Sequence, residues 1–324
     1  MNKCNLLAPI AALALVTGCV IPAQAQDFPT KSIRTFITAP GGAPNAVGRI
    51  IGEMMSASLG QQFIVEARPG GGGLVAVQAT KQSPPDGYAL LFTDSGVWAI
   101  LPAMRPASYD PVKDLIPIGM VFTSSLFLSV SDKVPARTVQ EFIALAKAKP
   151  GTLSYASSGN GTLHHLFMEA FKSATGINVL HVPFSKGTAE ALPAFLGGNT
   201  DAIVSSWPVI EPHVKTGRAR MLFASTQQRS PLAPDVPSLG DLNIRQENFS
   251  GDMGYFAPAG TPRPVVDKLA AALAKAVKST EYIDRLKTYG LEPVFRGPEE
   301  FGEVVKSDLA RYTRAAKTAG AKME

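Results

Sequence analysis

The sequence predicts an α/β fold in two lobes, each built on a mainly parallel sheet. Three observations carry that expectation. β-rich apolar runs alternate with helical periodicities, and the runs end in Gly-rich loops that open helices. The chain has 324 residues, a length at which a single core stops growing and splits. Of its residues 45% are hydrophobic and 18% charged, with 29 Gly and 26 Pro. That Gly and Pro share is well below the roughly 25–30% of low-complexity chains. Collagen, coiled coil, polytopic membrane protein and disulfide-dense miniprotein are excluded.

Residues 1–25 read as a signal peptide. The stretch Asn5–Val20 carries no charge, and its apolar run Leu6–Val16 is too short for the ~30 Å of a bilayer core. Ala23-Gln24-Ala25 is the small-x-small pattern that a signal peptidase cuts, so the mature chain is expected to begin at Gln26 in the periplasm. Val16-Thr17-Gly18-Cys19 also fits a lipobox, which would leave Cys19 lipidated and anchored. Both cysteines, Cys4 and Cys19, fall in this leader. Cleavage after Ala25 removes every disulfide, thiolate nucleophile and Cys-based zinc site. The formal charge of +5 comes from scattered residues, without the clusters that nucleic acid or an anionic membrane requires. It favours a small anionic ligand.

The elements follow in order. Ile33–Ala39 is β-rich and ends in Pro40-Gly41-Gly42-Ala43-Pro44-Asn45, after which Val47, Ile50, Ile51, Met54 and Met55 mark one helical face. Phe63–Glu66 is a short strand closed by Gly70–Gly73, and Leu74–Gln82 is helical. Tyr88–Thr93 is a buried strand that stops at Asp94-Ser95-Gly96. Ile118–Val130 is a long apolar run interrupted by Ser124-Ser125, and Thr138–Ala148 is a helix stopped by Lys149-Pro150-Gly151. Leu153–Ala156 is a strand running into Ser157-Ser158-Gly159-Asn160-Gly161-Thr162. The next helix carries Leu163, Leu166, Phe167, Ala170 and Phe171 as a stripe. Val179–Pro183, a helix near Thr188–Leu196, the strand Ala202–Val204 ending at Ser205-Ser206-Trp207, and the strand Arg220–Ser225 continue the alternation. Pro264–Val277 and Phe301–Thr318 are long helices.

Ligands of such sheets sit at the carboxyl ends of strands, where these loops lie. Gly41-Gly42-Ala43-Pro44-Asn45 offers helix-start N–H groups to an anion, or uses Asn45 as an N-cap. Ser157–Thr162 offers two hydroxyls, an amide and glycine N–H groups to a carboxylate or phosphate, or forms a capping turn with Thr162 at N-cap. Thr93-Asp94-Ser95 can donate to and accept from a ligand, or Asp94 caps the turn. Trp98 and Trp207 adjoin these loops as pocket walls or as core. Gly71-x-Gly73-x-x-Ala76 loosely fits a dinucleotide fingerprint but lacks a ribose carboxylate and a P-loop Lys, and reads as a flexible turn. His164 and His165 read as polar-face residues, since His165 and Glu169 lack a third metal ligand. His181 and His213 carry no motif. Nucleophile elbow, His-Glu-x-x-His and Ser-x-x-Lys signatures are missing. The residues suit holding a ligand rather than transforming one, with no metal and no cofactor.

Ordered motifs along residues 26–324 carry a resemblance. They include Lys31-Ser32-Ile33-Arg34, Pro40-Gly41-Gly42, Glu66-Ala67-Arg68-Pro69-Gly70, Pro85-Asp86-Gly87-Tyr88 and Tyr109-Asp110-Pro111-Val112-Lys113-Asp114. Further on stand Lys149-Pro150-Gly151, Tyr155–Thr162, Leu180-His181-Val182-Pro183, Pro234-Asp235-Val236-Pro237 and Ala257-Pro258-Ala259-Gly260-Thr261-Pro262. In these the chain resembles the extracytoplasmic solute receptors of tripartite tricarboxylate transporters, the Bug family. The resemblance implies a two-lobed "Venus flytrap" similar to type II periplasmic binding proteins. Two strands would link the lobes, near Val121–Ser125 and Leu222–Ser225. One lobe would hold residues 26–122 and 226–324, the other residues 123–225.

The resemblance further implies a small carboxylate clamped between Gly41–Asn45 and Ser157–Thr162. The wider candidate set is Gly41, Gly42, Ala43, Asn45, Thr93, Asp94, Ser95, Ser157, Ser158, Gly159, Asn160, Gly161, Thr162, Phe184, Ser206 and Trp207. Asn45 stands where family members commonly have Asp, and Asp94 where they mostly have Ser or Thr. Loss of the carboxylate at Asn45 argues for a di-, tri- or aromatic carboxylate without an α-amino group, an aromatic ring lying against Trp207 or Phe184. Implied partners are the membrane subunits of such a transporter, with a sensor kinase as an alternative and a monomeric receptor as the default. The rival from another class is a secreted enzyme using Gly71–Ala76 for a nucleotide cofactor.

Overall fold

The computed structural model describes residues 28–38, 42–104, 109–184 and 186–320. The leader, with Cys4 and Cys19, and the candidate Gly41 lie outside the described residues. The first strands and helices are β1 (Ile33–Ile37), α1 (Gly42–Leu59), β2 (Phe63–Ala67), α2 (Leu74–Lys81) and β3 (Ala89–Asp94). A wide helical turn over Gly96–Ile100 runs into α3 (Leu101–Met104). Then come β4 (Leu115–Thr123), β5 (Leu126–Ser131), α4 (Val139–Ala148), β6 (Ser154–Ser157), α5 (Leu163–Thr175) and β7 (Leu180–Pro183). They are followed by α6 (Thr188–Gly197), β8 (Ala202–Ser206), α7 (Trp207–Lys215), β9 (Ala219–Ala224) and β10 (Met253–Pro258). The chain continues through α8 (Arg263–Val277), α9 (Thr280–Thr288), β11 (Glu292–Arg296) and α10 (Pro298–Thr318).

The strands form two sheets, in the orders β11-β4-β10-β3-β1-β2 and β7-β6-β8-β5-β9. This is the two-lobed α/β architecture the sequence predicts, but both sheets are mixed where it predicts mainly parallel ones. Parallel ladders join β1 to β2 and β3, and β6 to β7 and β8. These are the βαβ parts, whose helical crossovers bring the chain back in the same direction. β4 leaves the first sheet and β10 returns to it, so they pair antiparallel, as do β5 with β8 and β9.

The two crossings lie side by side. The first is Ser124-Ser125, between β4 and β5. Residues 225–249 begin and end against β9 of the second sheet: the N–H of Ala224 donates to Pro237 O at 2.8 Å, and that of Phe249 to Ser225 O at 3.1 Å. The return passes through Ser250–Asp252, where Gly251 N–H donates to Ser124 O at 2.9 Å and Ser125 bridges Ser250. Past the expected second link at Leu222–Ser225, a loop folds back along β9 before the chain returns.

Besides the short α3, sequence periodicity misses β10, α7, α9 and β11. β10 reads Met-Gly-Tyr-Phe-Ala-Pro, with a glycine inside and a proline at its end. α7 contains Pro208 and Pro212, α9 is short and mostly polar, and β11 is only partly buried. Each forms because tertiary packing outweighs weak local propensity. α10 contacts both the Gly96–Ile100 turn and α5, burying Trp98, Phe301 and Tyr312 in one continuous core.

Candidate ligand-binding site

A cavity of about 450 Å³ opens where the two crossings meet the strand ends. Ala43 and Pro44 line it from the start of α1, and Asp94, Ser95 and Gly96 from the end of β3. Ser158, Asn160, Gly161, Thr162, Leu163 and His164 line it from the loop after β6 and the start of α5. Gly72, Ile100, Leu101, Phe122, Ser124, Gly251, Met253 and Leu291 complete the wall. Elements of both sheets therefore face one space.

The loop after β6 is held by its neighbours. Gly159 and Gly161 sit at φ of +120° and +71°, a region that favours glycine, and so turn the chain tightly into α5. The Thr162 side chain is the N-cap, accepting from His165 N–H at 3.5 Å. Its hydroxyl also donates to Gly159 O at 2.8 Å. Three histidines brace this turn from below. Ser157 Oγ lies 2.6 Å from His181 Nε2, Ser158 Oγ 2.6 Å from His164 Nδ1, and Gly161 N–H donates to His165 Nδ1 at 3.1 Å.

The rings of His165 and His181 stack at 4.1 Å, and Tyr155 stacks on the other face of His181 at 4.8 Å. The Tyr155 hydroxyl donates to Glu169, which pairs with Lys172, both at 2.8 Å. Burial pushes His164 and His181 down to about 4 and lowers His165. Around neutral pH all three are neutral imidazoles, so the His165 Nδ1 that takes the Gly161 proton is an acceptor. No motif in the sequence marks this brace; strand pairing builds it, with His181 the register partner of Tyr155.

The end of β3 is fastened to the return crossing. Ser95 N–H donates to Asp252 O at 3.0 Å, and Ser95 Oγ donates to Ser250 O at 3.2 Å. Asp94 is half-buried, its Oδ1 accepting from Val97 N–H at 3.2 Å. Burial pushes its carboxyl above the usual range, against the N–H groups of Val97 and Gly96, which favour the charged form.

Of the candidates, Ala43, Asp94, Ser95, Ser158, Asn160, Gly161 and Thr162 come together in the lining. Gly42 opens α1 next to it. Asn45 does not line the cavity: its Oδ1 accepts from Arg49 Nε at 3.0 Å, one turn along α1. Thr93 and Ser157 are buried just behind the wall, and Gly159 shapes the turn without lining. Phe184 packs beside the Ala191 and Phe195 cluster. Ser206 is the N-cap of α7, and Trp207 lies 6.0 Å from Phe127. Trp98 is fully buried, its Nε1 donating to Asp308 Oδ2 at 3.0 Å. Sequence reasoning missed the apolar wall of Ile100, Leu101, Phe122, Met253 and Leu291, whose members come from four separated segments. It also passed over Ser124, although the Ser-Ser break in an apolar run marked the place.

A family model described as "Tripartite tricarboxylate transporter family receptor" matches residues 47–320, most of the chain. The chain belongs to that family. This receptor is 28% identical to "Protein BugT" of Bordetella pertussis over all of both chains. It is also similar to an R. palustris protein solved with adipate, at 28% identity and a TM-score of 0.75, covering 91% of this chain and 99% of that one. A further likeness is to MatC from Rhodopseudomonas palustris with bound malate, at 26% identity and a TM-score of 0.71. That match covers 89% of the receptor and 99% of MatC. The receptor's cavity is a mostly apolar chamber with polar groups at the end of β3 and at the start of α5, the usual form of a small-molecule site.

Proposed function

We propose that this receptor binds a small carboxylate in the cavity between its lobes and delivers it to the membrane subunits of a tripartite transporter. The observation that carries this reading is the start of α5, where Ser158, Asn160 and Thr162 line the same cavity as Ala43 and Pro44 at the start of α1. Free N–H groups at helix starts attract anions, and the fixed dipoles contribute about 0.3–1 kcal/mol, up to ~2 when partly buried. Relatives solved with adipate and malate bind small carboxylates, which agrees with that chemistry. Among the described residues no helix is long and apolar enough to cross a membrane, so translocation needs other subunits.

The paired crossings at Ser124-Ser125 and Ser250–Asp252 serve as the hinge in this reading, and a periplasmic receptor is the form that fits it. A ligand that touches both lobes favours the closed form, because only differential contact shifts a population. The test is to denature and refold the protein, stripping any bound ligand, and then to measure thermal shifts with a panel. The panel holds citrate, succinate, malate, adipate, benzoate, aspartate, glutamate and NAD. A ligand at ~100 times its Kd adds about 2.7 kcal/mol of stability. Stabilisation by carboxylates, weakened about tenfold in Ser158→Ala and Asn160→Ala, is expected. Response to NAD alone would overturn the reading.

A further inference from the structure

Among the described residues lining the cavity, Asp94 carries the one carboxyl, and no Lys or Arg lines the cavity with it. Its hydrogen-bond partners are backbone N–H groups, with Oδ1 committed to Val97. The other titratable lining group, His164, is tied through Nδ1 to Ser158 and held neutral by burial. Behind Asp94, the Tyr109 hydroxyl is spent on Val97 O. Among the described residues, the wall of the chamber thus holds a carboxyl with no Lys or Arg lining beside it. A buried carboxylate without a counter-charge is costly, and the missing partner is one that a ligand can bring.

We propose that Asp94 determines specificity, restricting this receptor to monocarboxylates that carry a separate N–H or O–H donor and excluding dicarboxylates. The inference rests on the carboxylate reading above. The ligand's single carboxylate takes the start of α5, its apolar body lies against Leu101, Phe122 and Met253, and its ammonium, ring N–H or hydroxyl meets Asp94. A second carboxylate there would meet another carboxyl and, among the described lining residues, no cation to hold it. The expectation drawn from Asn45 against amino ligands lapses here, because the Asn45 amide is bonded to Arg49 outside the lining.

The experiment is calorimetric titration of refolded wild type with two matched trios. One is butyrate, 4-aminobutyrate and succinate; the other is hexanoate, 6-aminohexanoate and adipate. Asp94→Asn and Asp94→Ser are titrated alongside, with melting curves to confirm folding. Wild type is expected to bind an amino member at least tenfold more tightly than its dicarboxylate and its plain acid. Both variants are expected to lose that preference tenfold and to gain dicarboxylate affinity. Tightest binding of succinate or adipate by wild type, unchanged in both variants, would overturn the role of Asp94 and leave the carboxylate reading standing. No heat from any member with any of the three proteins would overturn both.

Discussion

Gly161 donates its backbone N–H to Nδ1 of His165, 3.1 Å away and one turn further along. The bond closes the cavity-lining loop onto its own helix, and the stacked ring of His181 fixes the plane of His165. His181 in turn holds Ser157 at the end of β6. The loop's shape is therefore decided by rings beneath it.

Removing one ring's polar edge tests this. His181→Phe keeps the stack between Tyr155 and His165 but leaves Ser157 Oγ without its 2.6 Å partner. The loss should be about 1 kcal/mol of stability, read from urea unfolding, with a several-fold weaker carboxylate affinity. Unchanged affinity would show that the brace does not position the loop.

The same rings set an acid limb. His164 and His181 titrate near 4 in the folded protein, against an ordinary 6.5. Above pH 6.5 they are neutral in both states. As pH falls from 6.5 to about 4, the unfolded chain takes up protons that the folded chain refuses, so stability falls. Asp308, raised to about 6 by burial, acts in the opposite sense between about 6 and 3.8. The measurement is thus a comparison: wild type should lose stability across this window relative to the double variant His164→Asn with His181→Asn. Parallel pH profiles would contradict the assignment.

Gly254 lies in β10, between β3 and β4. A Cβ there would stand 2.3 Å from Cζ of the buried Phe301 and 3.0 Å from Gly119 O. Gly254→Ala should cost about 1–3 kcal/mol by overpacking, seen as a lower melting temperature. A neutral effect would mean that α10 yields easily.

Trp207 packs on Phe127 and stands against Gly290, where an added Cβ would come within 2.9 Å of the indole. Trp207→Ala should cost roughly 1–3 kcal/mol of stability, since the residue is half-buried, while changing ligand affinity less than threefold. An affinity loss of tenfold or more at unchanged stability would place the indole on the ligand instead.

Local chemistry made much of this protein readable from sequence. Apolar periodicity marked β1, α1, β3, α4, α5 and α8, because each buries one face or a whole run. Glycines and hydroxyls at strand ends marked the loops that carry Ala43, Asp94, Ser95, Ser158, Asn160 and Thr162 into one cavity. Those positions need only short-range geometry: a strand must stop, turn and start a helix. What joins distant segments was decided by tertiary structure. The antiparallel pairing of β10 and the return at Ser250–Asp252 depend on partners more than 100 residues away, and residues 225–249 double back onto Ala224 and Ser225. Packing of separate elements also sets the stack of His165 on His181, the apolar wall from Phe122 to Leu291 and the place of Trp207 beside Phe127, whereas Asn45 is held outside the lining by a local bond from Arg49, one turn along α1. A side chain's type fixes what it can bond, and only the packed fold fixes which partner reaches it first.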